Sequence, residues 1–552
     1  MKQLALFSLL ILFSAAFKAQ SLSTVVASDI DKMFAEHFKA DRNGATVMIT
    51  QKGKTLYHKA FGMANLELNV PMRTEHVFRI GSITKQFTAA AILKLAEEGK
   101  LNIQDDLTKF IPNYPTQGKK ITIEHLLTHT SGIQSYTDMP EWDPATHRKD
   151  FTPEEMINYF KDKPMNFEPG AEFRYNNSGY FLLGYIIEKA SGKTYEAYIA
   201  DTFFKPLGMK NSWYGDNEPL IKNRASGYSQ GDVEGTLVNA PFLSMTQPYA
   251  AGSLLSTVED LNIWSQALHG GKVLKPASYQ AMITPYKLPG GTPNNYAYGL
   301  SIKNLVGSTC IEHSGGIHGF LSDMLYLPKE QLCVAILTNC DCEPPSNLTA
   351  QVAALVLGKP YQPEKIAVDA KKLEQYVGVY ESDTKEQRVI RLENGQLTSQ
   401  RSGGSKYNLF AYGPDQFFFE NSFARVRFEK DKSGKVVRAN MTDREYDQMI
   451  WTKTDKPLPA ARTEIQLTEA QLKPFEGEYE LAPGFNIKVT REGTQLFCQA
   501  TGQSRFEVFP TTPTRFFLKV VEADIEFYPD ANGVVNKMVL FQGGAEMPGL
   551  RR

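Results

Sequence analysis

Phe78-Arg79-Ile80-Gly81-Ser82-Ile83-Thr84-Lys85-Gln86-Phe87 sets a serine and a lysine three residues apart at the head of an apolar pattern. Phe87, Ala91, Ile92 and Leu95 follow at helical spacing, which predicts a helix from Ser82 to Glu98 closed by Gly99. On such a helix Lys85 projects from the same face as Ser82, about one turn on. A serine hydroxyl is a poor nucleophile near neutral pH and needs an adjacent base. Lysine can be that base only if burial or neighbouring cations keep it partly deprotonated. A serine at a helix start also sits among free backbone N–H groups, which favour developing negative charge. The spacing alone is weak. Ser382-Asp-Thr-Lys385 shows it too, in a setting that reads as a polar turn.

Two more motifs follow in chain order. Tyr175-Asn176-Asn177 is the only Tyr-x-Asn in the chain. A phenol held beside cations has a lowered pKa and can shuttle protons, and the Asn177 amide can donate to a substrate carbonyl. His313-Ser314-Gly315-Gly316 stands at the end of a predicted strand. A strand edge there would present N–H groups to an oxyanion, and the glycines permit close approach. His269-Gly270-Gly271 has the same His-x-Gly form but follows a helical pattern over 261–268, and reads as a C-terminal cap.

Around these motifs the first region mixes strands and helices. Ala45 to Gln51 and Lys54 to Phe61 predict a hairpin turned at Lys52-Gly53, and strands return at 308–313, 321–327 and 332–337. Strands at both ends with helices between them imply an α+β domain whose sheet is closed by its two ends.

Proline-rich stretches at 359–364 and 456–461 mark linkers. Beyond the first linker the chain repeats itself with an offset of 99 residues. The offset pairs Tyr376 with Phe475, Leu397 with Leu496, Gly403 with Gly502, Phe417 with Phe516, Phe428 with Phe527 and Gly434 with Gly533. A tandem duplication explains that register. Each copy alternates short β-rich runs with Gly, Asn and Asp turns, as small antiparallel barrels do. The expected layout is a signal segment at 1–20, a catalytic domain at 21–360, and β-barrel repeats at 368–455 and 466–552.

The 552 residues are 42% hydrophobic and 22% charged, a globular balance for a multidomain chain. Sixty basic against 61 acidic residues give a net charge of −1, so no electrostatic case for nucleic acid exists. Lys2 precedes the apolar run Leu4 to Phe13, and Ser14, Ala15, Ala16 and Ala19 follow. That order predicts export with cleavage near Ala19 or Gln20, to the periplasm or beyond, with no membrane span in the mature form. Cys310, Cys333, Cys340, Cys342 and Cys498 are an odd set matching no zinc pattern. One bridge among the first four is open to them.

Taken together, Ser82-x-x-Lys85, Tyr175-x-Asn177 and His313-x-Gly315 resemble, in type and order, the motifs of the serine β-lactamase and D-Ala-D-Ala peptidase superfamily. The flanking phrases Ile123 to Gly132, Ala251 to Thr257 and Tyr298-Gly299 are also similar to the family's. The resemblance covers the whole first region. It implies a β-lactamase/transpeptidase-like fold and an acyl-enzyme on Ser82, with base work shared by Lys85 and Tyr175. It implies an oxyanion hole from the N–H groups of Ser82 and Gly316 beside Gly315. Asn177 would position the substrate amide, and His313 would orient Tyr175 and the substrate. It implies no metal and no organic cofactor.

One departure sharpens the reading. Where typical β-lactamases of this architecture have lysine in the third motif, this chain has His313, largely neutral above its reference pKa. Loss of that fixed charge disfavours efficient β-lactam hydrolysis. His-x-Gly looks like the D-stereospecific peptidases and aminopeptidases of the superfamily and some of its esterases, and the paired β modules look like the layout of D-aminopeptidase-type members. The expected substrate class is a small peptide, amide or ester, with D-amino-acid-containing and cell-wall peptides foremost. A carboxylesterase, a penicillin-binding D,D-carboxypeptidase or weak β-lactamase, and a slowly deacylating sensor remain alternatives. The sequence leaves the oligomeric state open.

Overall fold

The computed structural model describes residues 22–552 apart from 232, 234, 292–293, 446–447, 460–462 and 483; the expected signal segment lies outside the described residues. Two compact units meet at 359/360.

The first unit is built on six antiparallel strands: β1 (Ala45–Gln51), β2 (Lys54–Phe61), β3 (Ser301–Leu305), β4 (Ser308–Ile317), β5 (Phe320–Leu327) and β6 (Leu332–Thr338). Their order is β3-β4-β5-β6-β1-β2. The first and last strands therefore pair at the sheet's centre, from Ala45 with Thr338 to Gln51 with Leu332. The hairpin turns at Lys52 and Gly53, both with positive φ. Every residue of β6, and all of β1 but Gln51, is buried, because both faces are covered. Met48, Cys333, Ala335 and Leu337 join the core shared with the central helices. Val47, Ile49, Val334 and Ile336 face the other way by the strand's period of two.

The helical layer carries the chemistry-bearing residues. Helix α1 (Thr84–Glu97) is buried from Thr84 through Leu93. Phe87 stacks on Trp264 at 4.0 Å, and the indole N–H donates to Gln86 Oε1 at 3.1 Å. This pins α1 to α3 (Val258–His269), with α2 (Asn177–Ser191) between them in sequence. Gly270 caps α3, so His269 belongs to a helix end as its context indicates.

The second unit holds two closed barrels of eight antiparallel strands each, one from Gly378 to Lys453 and one from Gly477 to Arg551. The 99-residue offset persists in the register: Gly378 pairs with Ile390 as Gly477 pairs with Val489. It persists in the buried hydrogen bonds as well. Tyr380 donates its hydroxyl to Tyr376 O at 2.7 Å, and Tyr479 does so to Phe475 O at 3.0 Å. The turn between the barrel's first two strands holds Ser382 to Lys385, which accounts for that stray Ser-x-x-Lys.

Cys340 and Cys342 form a disulfide, while Cys310, Cys333 and Cys498 are buried thiols.

Candidate active site

Ser82 lies in a one-turn 3-10 helix, Gly81–Ile83, that feeds α1, rather than in the α-helix itself. Gly81 has φ +50, a conformation an L-residue resists. The segment is gripped from both sides: Ile80 N donates to Leu254 O at 3.0 Å, and Ser322 Oγ donates to Ile80 O at 2.8 Å.

Behind Ser82, the Lys85 side chain is fully buried. Its Nζ lies 3.0 Å from Ser82 Oγ, 2.8 Å from Asn177 Oδ1 and 2.9 Å from Ala251 O. Burial pushes its pKa well below the ordinary lysine value. The amide and carbonyl oxygens can only accept. In its deprotonated form the amine would spend its two N–H bonds on Asn177 and Ala251 and leave its lone pair for the Ser82 hydroxyl. That is the orientation a base needs.

Tyr175 and Asn177 enter where α2 begins. Asn176 caps the helix by accepting from Gly179 N at 2.7 Å, and its side-chain amide donates to Ile133 O. This leaves Tyr175 just ahead of the cap and Asn177 in the first turn. The Asn177 amide is engaged at both ends: Oδ1 takes Lys85, and Nδ2 donates to Thr137 Oγ1 at 3.1 Å. The Tyr175 ring lies against His129 at 4.3 Å and under Lys85 Nζ at 4.8 Å. Although the residue is 37% exposed, desolvation of the phenol raises its pKa, and a hydrogen bond with Ser82 offsets this only in part. The cation-lowered phenol expected from sequence is therefore not what the site holds, because desolvation of the phenol outweighs what lowers its pKa.

The His313 motif also sits differently. β4 runs on to Ile317, so His313 to Gly316 lie within the strand. β3 pairs only as far as Glu312, which leaves the next residues' edge facing the Ser82 turn. A Cβ on Gly315 would collide with Ile80 O and Ser322 Oγ, and one on Gly81 would come within 2.8 Å of Gly316 N. The glycines are what let the two segments meet. Gly315 is buried in that contact, while Gly316 is open.

His313 is 5% exposed, its ring centroid 6.2 Å from that of Tyr175. Its Nδ1 meets Ser314 O at 2.6 Å, so Nδ1 carries the proton and Nε2 accepts from the Tyr296 hydroxyl at 2.9 Å. Burial first, then Lys85, lowers its pKa to about 3.

A cavity of about 350 Å³ opens in front of Ser82. Asn177 and Gly316 line it with Ser82, and so do Tyr136, Trp142, Leu243, Ile317, Leu321 and Asp341. Lys85, Gly315 and His313 stand behind this wall. Tyr296, the Ala251 carbonyl and Asp341 had no sequence signal strong enough to single them out. A carbonyl has none by nature, and Asp341 is marked only by its place between two cysteines.

The family described as Beta-lactamase matches residues 30–358, more than half of the chain. A Domain of unknown function (DUF3471) matches twice, at 362–454 and 461–548. Penicillin-binding protein 4* of Bacillus subtilis (strain 168) is 29% identical over 408 residues, 69% of this chain and 89% of that protein. Protein flp of Staphylococcus aureus (strain MRSA252) is 31% identical, and the match spans 59% of this chain and 63% of flp's length. Among solved structures, the octameric penicillin-binding protein homologue from Pyrococcus abyssi aligns with a TM-score of 0.55 at 31% identity, over 78% of this chain and 99% of that one. The D-amino acid amidase from Ochrobactrum anthropi SV3, complexed with L-phenylalanine amide, aligns at 0.54 and 25% identity, over 61% and 98%.

Proposed function

The chain belongs to the Beta-lactamase family of serine hydrolases, and from that premise we propose that it is an exported enzyme cleaving amide or ester bonds through an acyl-enzyme on Ser82, with D-amino-acid-containing peptides and amides as its favoured substrates. The observation that carries this is the buried Lys85 amine 3.0 Å from Ser82 Oγ, its pKa pushed well below the ordinary lysine value by burial.

In the proposed reaction Ser82 Oγ attacks the acyl carbon and its proton passes to Lys85 Nζ. The carbonyl oxygen takes up negative charge between the N–H groups of Ser82 and Gly316. Tyr175, protonated at neutral pH, gives a proton to the leaving amine or alkoxide. Water then attacks the ester, and its proton returns along the same groups, freeing Ser82.

Substrate choice rests on charge and likeness. Asp341 is among the residues lining the cavity, and its negative charge would repel the carboxylate of a β-lactam or of a peptide C-terminus. His313 is neutral and faces Tyr296. Both favour a D-amino-acid amidase or aminopeptidase over a carboxypeptidase or β-lactamase. The apolar wall of Trp142, Leu243, Ile317 and Leu321 also suits an uncharged ester, which keeps carboxylesterase as the second reading. Export rests on Lys2 and the apolar run to Phe13.

The deciding assay compares initial rates on D-alanyl and L-alanyl p-nitroanilide and a short p-nitrophenyl ester, with Ser82→Ala alongside. Release from the D-anilide that is lost in Ser82→Ala supports the proposal. Cleavage of the ester alone moves the assignment to an esterase, and full rates in Ser82→Ala overturn both.

A further inference from the structure

We infer that Asp341 is the specificity group of the cavity, the residue that recognises a positively charged amine on the substrate. Asp341 follows β6, just past the end of the central strand, and its carboxylate is fixed rather than free to swing. Oδ2 accepts from Ser229 Oγ at 2.9 Å and from Gly319 N at 2.8 Å. The backbone is held too, since Asp341 N donates to Tyr228 O at 3.1 Å and the Cys340–Cys342 disulfide brackets the residue. Two donors on one oxygen orient the carboxylate while leaving its charge to a partner in the cavity it lines with Ser82.

The surroundings suit an ammonium. His318, on the same wall, has its pKa lowered by burial and by His147, and adds no positive charge at neutral pH. Arg79, whose charge also lowers the His318 pKa, donates to Asn217 Oδ1 at 3.2 Å with its guanidinium over the Phe320 ring and is not among the lining residues. In a cavity walled by Trp142, Leu243 and Leu321, an ammonium losing water needs a fixed counter-charge, and Asp341 supplies it.

Chain length bounds the reach. Gly319, which anchors the carboxylate, is three residues past Gly316, and at most ~3.6 Å per residue puts the two within about 11 Å. That span admits the free amine of an aminoacyl or dipeptidyl group whose carbonyl sits at Ser82. The inference rests on Ser82 being the acylating residue, and it would hold for an ester substrate as well as an amide.

The test uses the full chain with p-nitrophenyl acetate as reporter. D-alaninamide, D-alanyl-D-alaninamide and their N-acetyl forms serve as competitors. In wild type at least one free amine should compete with an inhibition constant about tenfold below that of its acetylated form. Ratios are taken within each variant, so a change in ester rate cancels. Asp341→Asn should bring the ratio close to one, and Asp341→Glu, which keeps the charge, should retain much of it. Asp341→Ser replaces the asparagine variant if that does not fold. Equal constants for both pairs in wild type, or an undiminished ratio in the neutral variants, overturn the inference. Because the reporter is an ester, the ratio remains measurable even if the anilide assay fails and the amidase reading falls.

Discussion

The hydroxyl of Tyr296 donates to His313 Nε2 across 2.9 Å, seventeen residues apart in sequence and inside the core. The third-motif histidine is thereby a buried neutral acceptor, and this has a consequence for stability in acid. Burial lowers the pKa of His313 and of His269 to about 3, and places His129 well below its ordinary value. The unfolded chain takes up protons near pH 6.5, whereas the folded imidazoles refuse them until far lower. Stability should therefore be complete above pH 6.5 and fall as pH drops toward 3. The loss is at most about 1.4 kcal/mol per pH unit for each histidine. Thermal unfolding of the catalytic unit across that range checks it; His313→Asn should flatten the fall.

Lys85 acts in the same direction, in a window at the alkaline end of the pH scale. Its folded pKa is depressed, so below pH 10.5 the unfolded chain holds a proton that the folded amine does not. Relative to Lys85→Met, the wild type should gain stability as pH rises toward 10.5, by at most about 1.4 kcal/mol per unit. Lys85→Arg, whose guanidinium cannot take the Ser82 proton, should lower kcat by about a thousandfold. A wild-type rate that keeps rising without levelling until pH 10.5 would place the base elsewhere.

Gly315 and Gly316 are neighbours with unequal tolerance. A methyl at Gly315 would strike Ile80 O, whereas one at Gly316 meets only Leu321 Cδ2 at 3.3 Å. Gly315→Ala should cost about 1–3 kcal/mol of stability. By displacing the turn that carries Ser82 it should also cost about 100-fold in kcat. Gly316→Ala should fold with little loss. Melting temperatures and single-turnover rates of the two variants separate these outcomes.

Tyr175→Phe keeps the ring against His129 and removes only the hydroxyl facing Ser82. The expected result is a fall in kcat of about 100-fold or more with KM little changed. Because the phenol pKa is raised, the wild-type pH–rate profile should show no descending limb from Tyr175 below pH 10.

Much of this architecture was readable along the chain. The hairpin at Lys52-Gly53, the α1 pattern with its end at Gly99 and the 99-residue duplication all rest on local periodicity or on direct comparison of segments. The His313 strand was read too short because glycines normally end strands. Here Gly315 continues one, since only a residue without a side chain fits beneath Ile80. Tyr175 was read in the wrong electrostatic setting, as the sequence shows a lysine but not the desolvation that raises the phenol pKa.

By itself, then, the sequence determined what neighbouring residues settle among themselves: Ser82 and Lys85 one turn apart, Tyr175 beside a helix cap, two copies of one barrel. Only the tertiary structure decided which groups surround the Lys85 amine, where His313 turns and which carboxylate enters the cavity. Asn177 and Ala251 come from separate helices, and Tyr296 and Asp341 from segments between the main elements. They meet because the ends of the first region pair at the centre of one sheet, and no short-range pattern encodes a contact made across hundreds of residues.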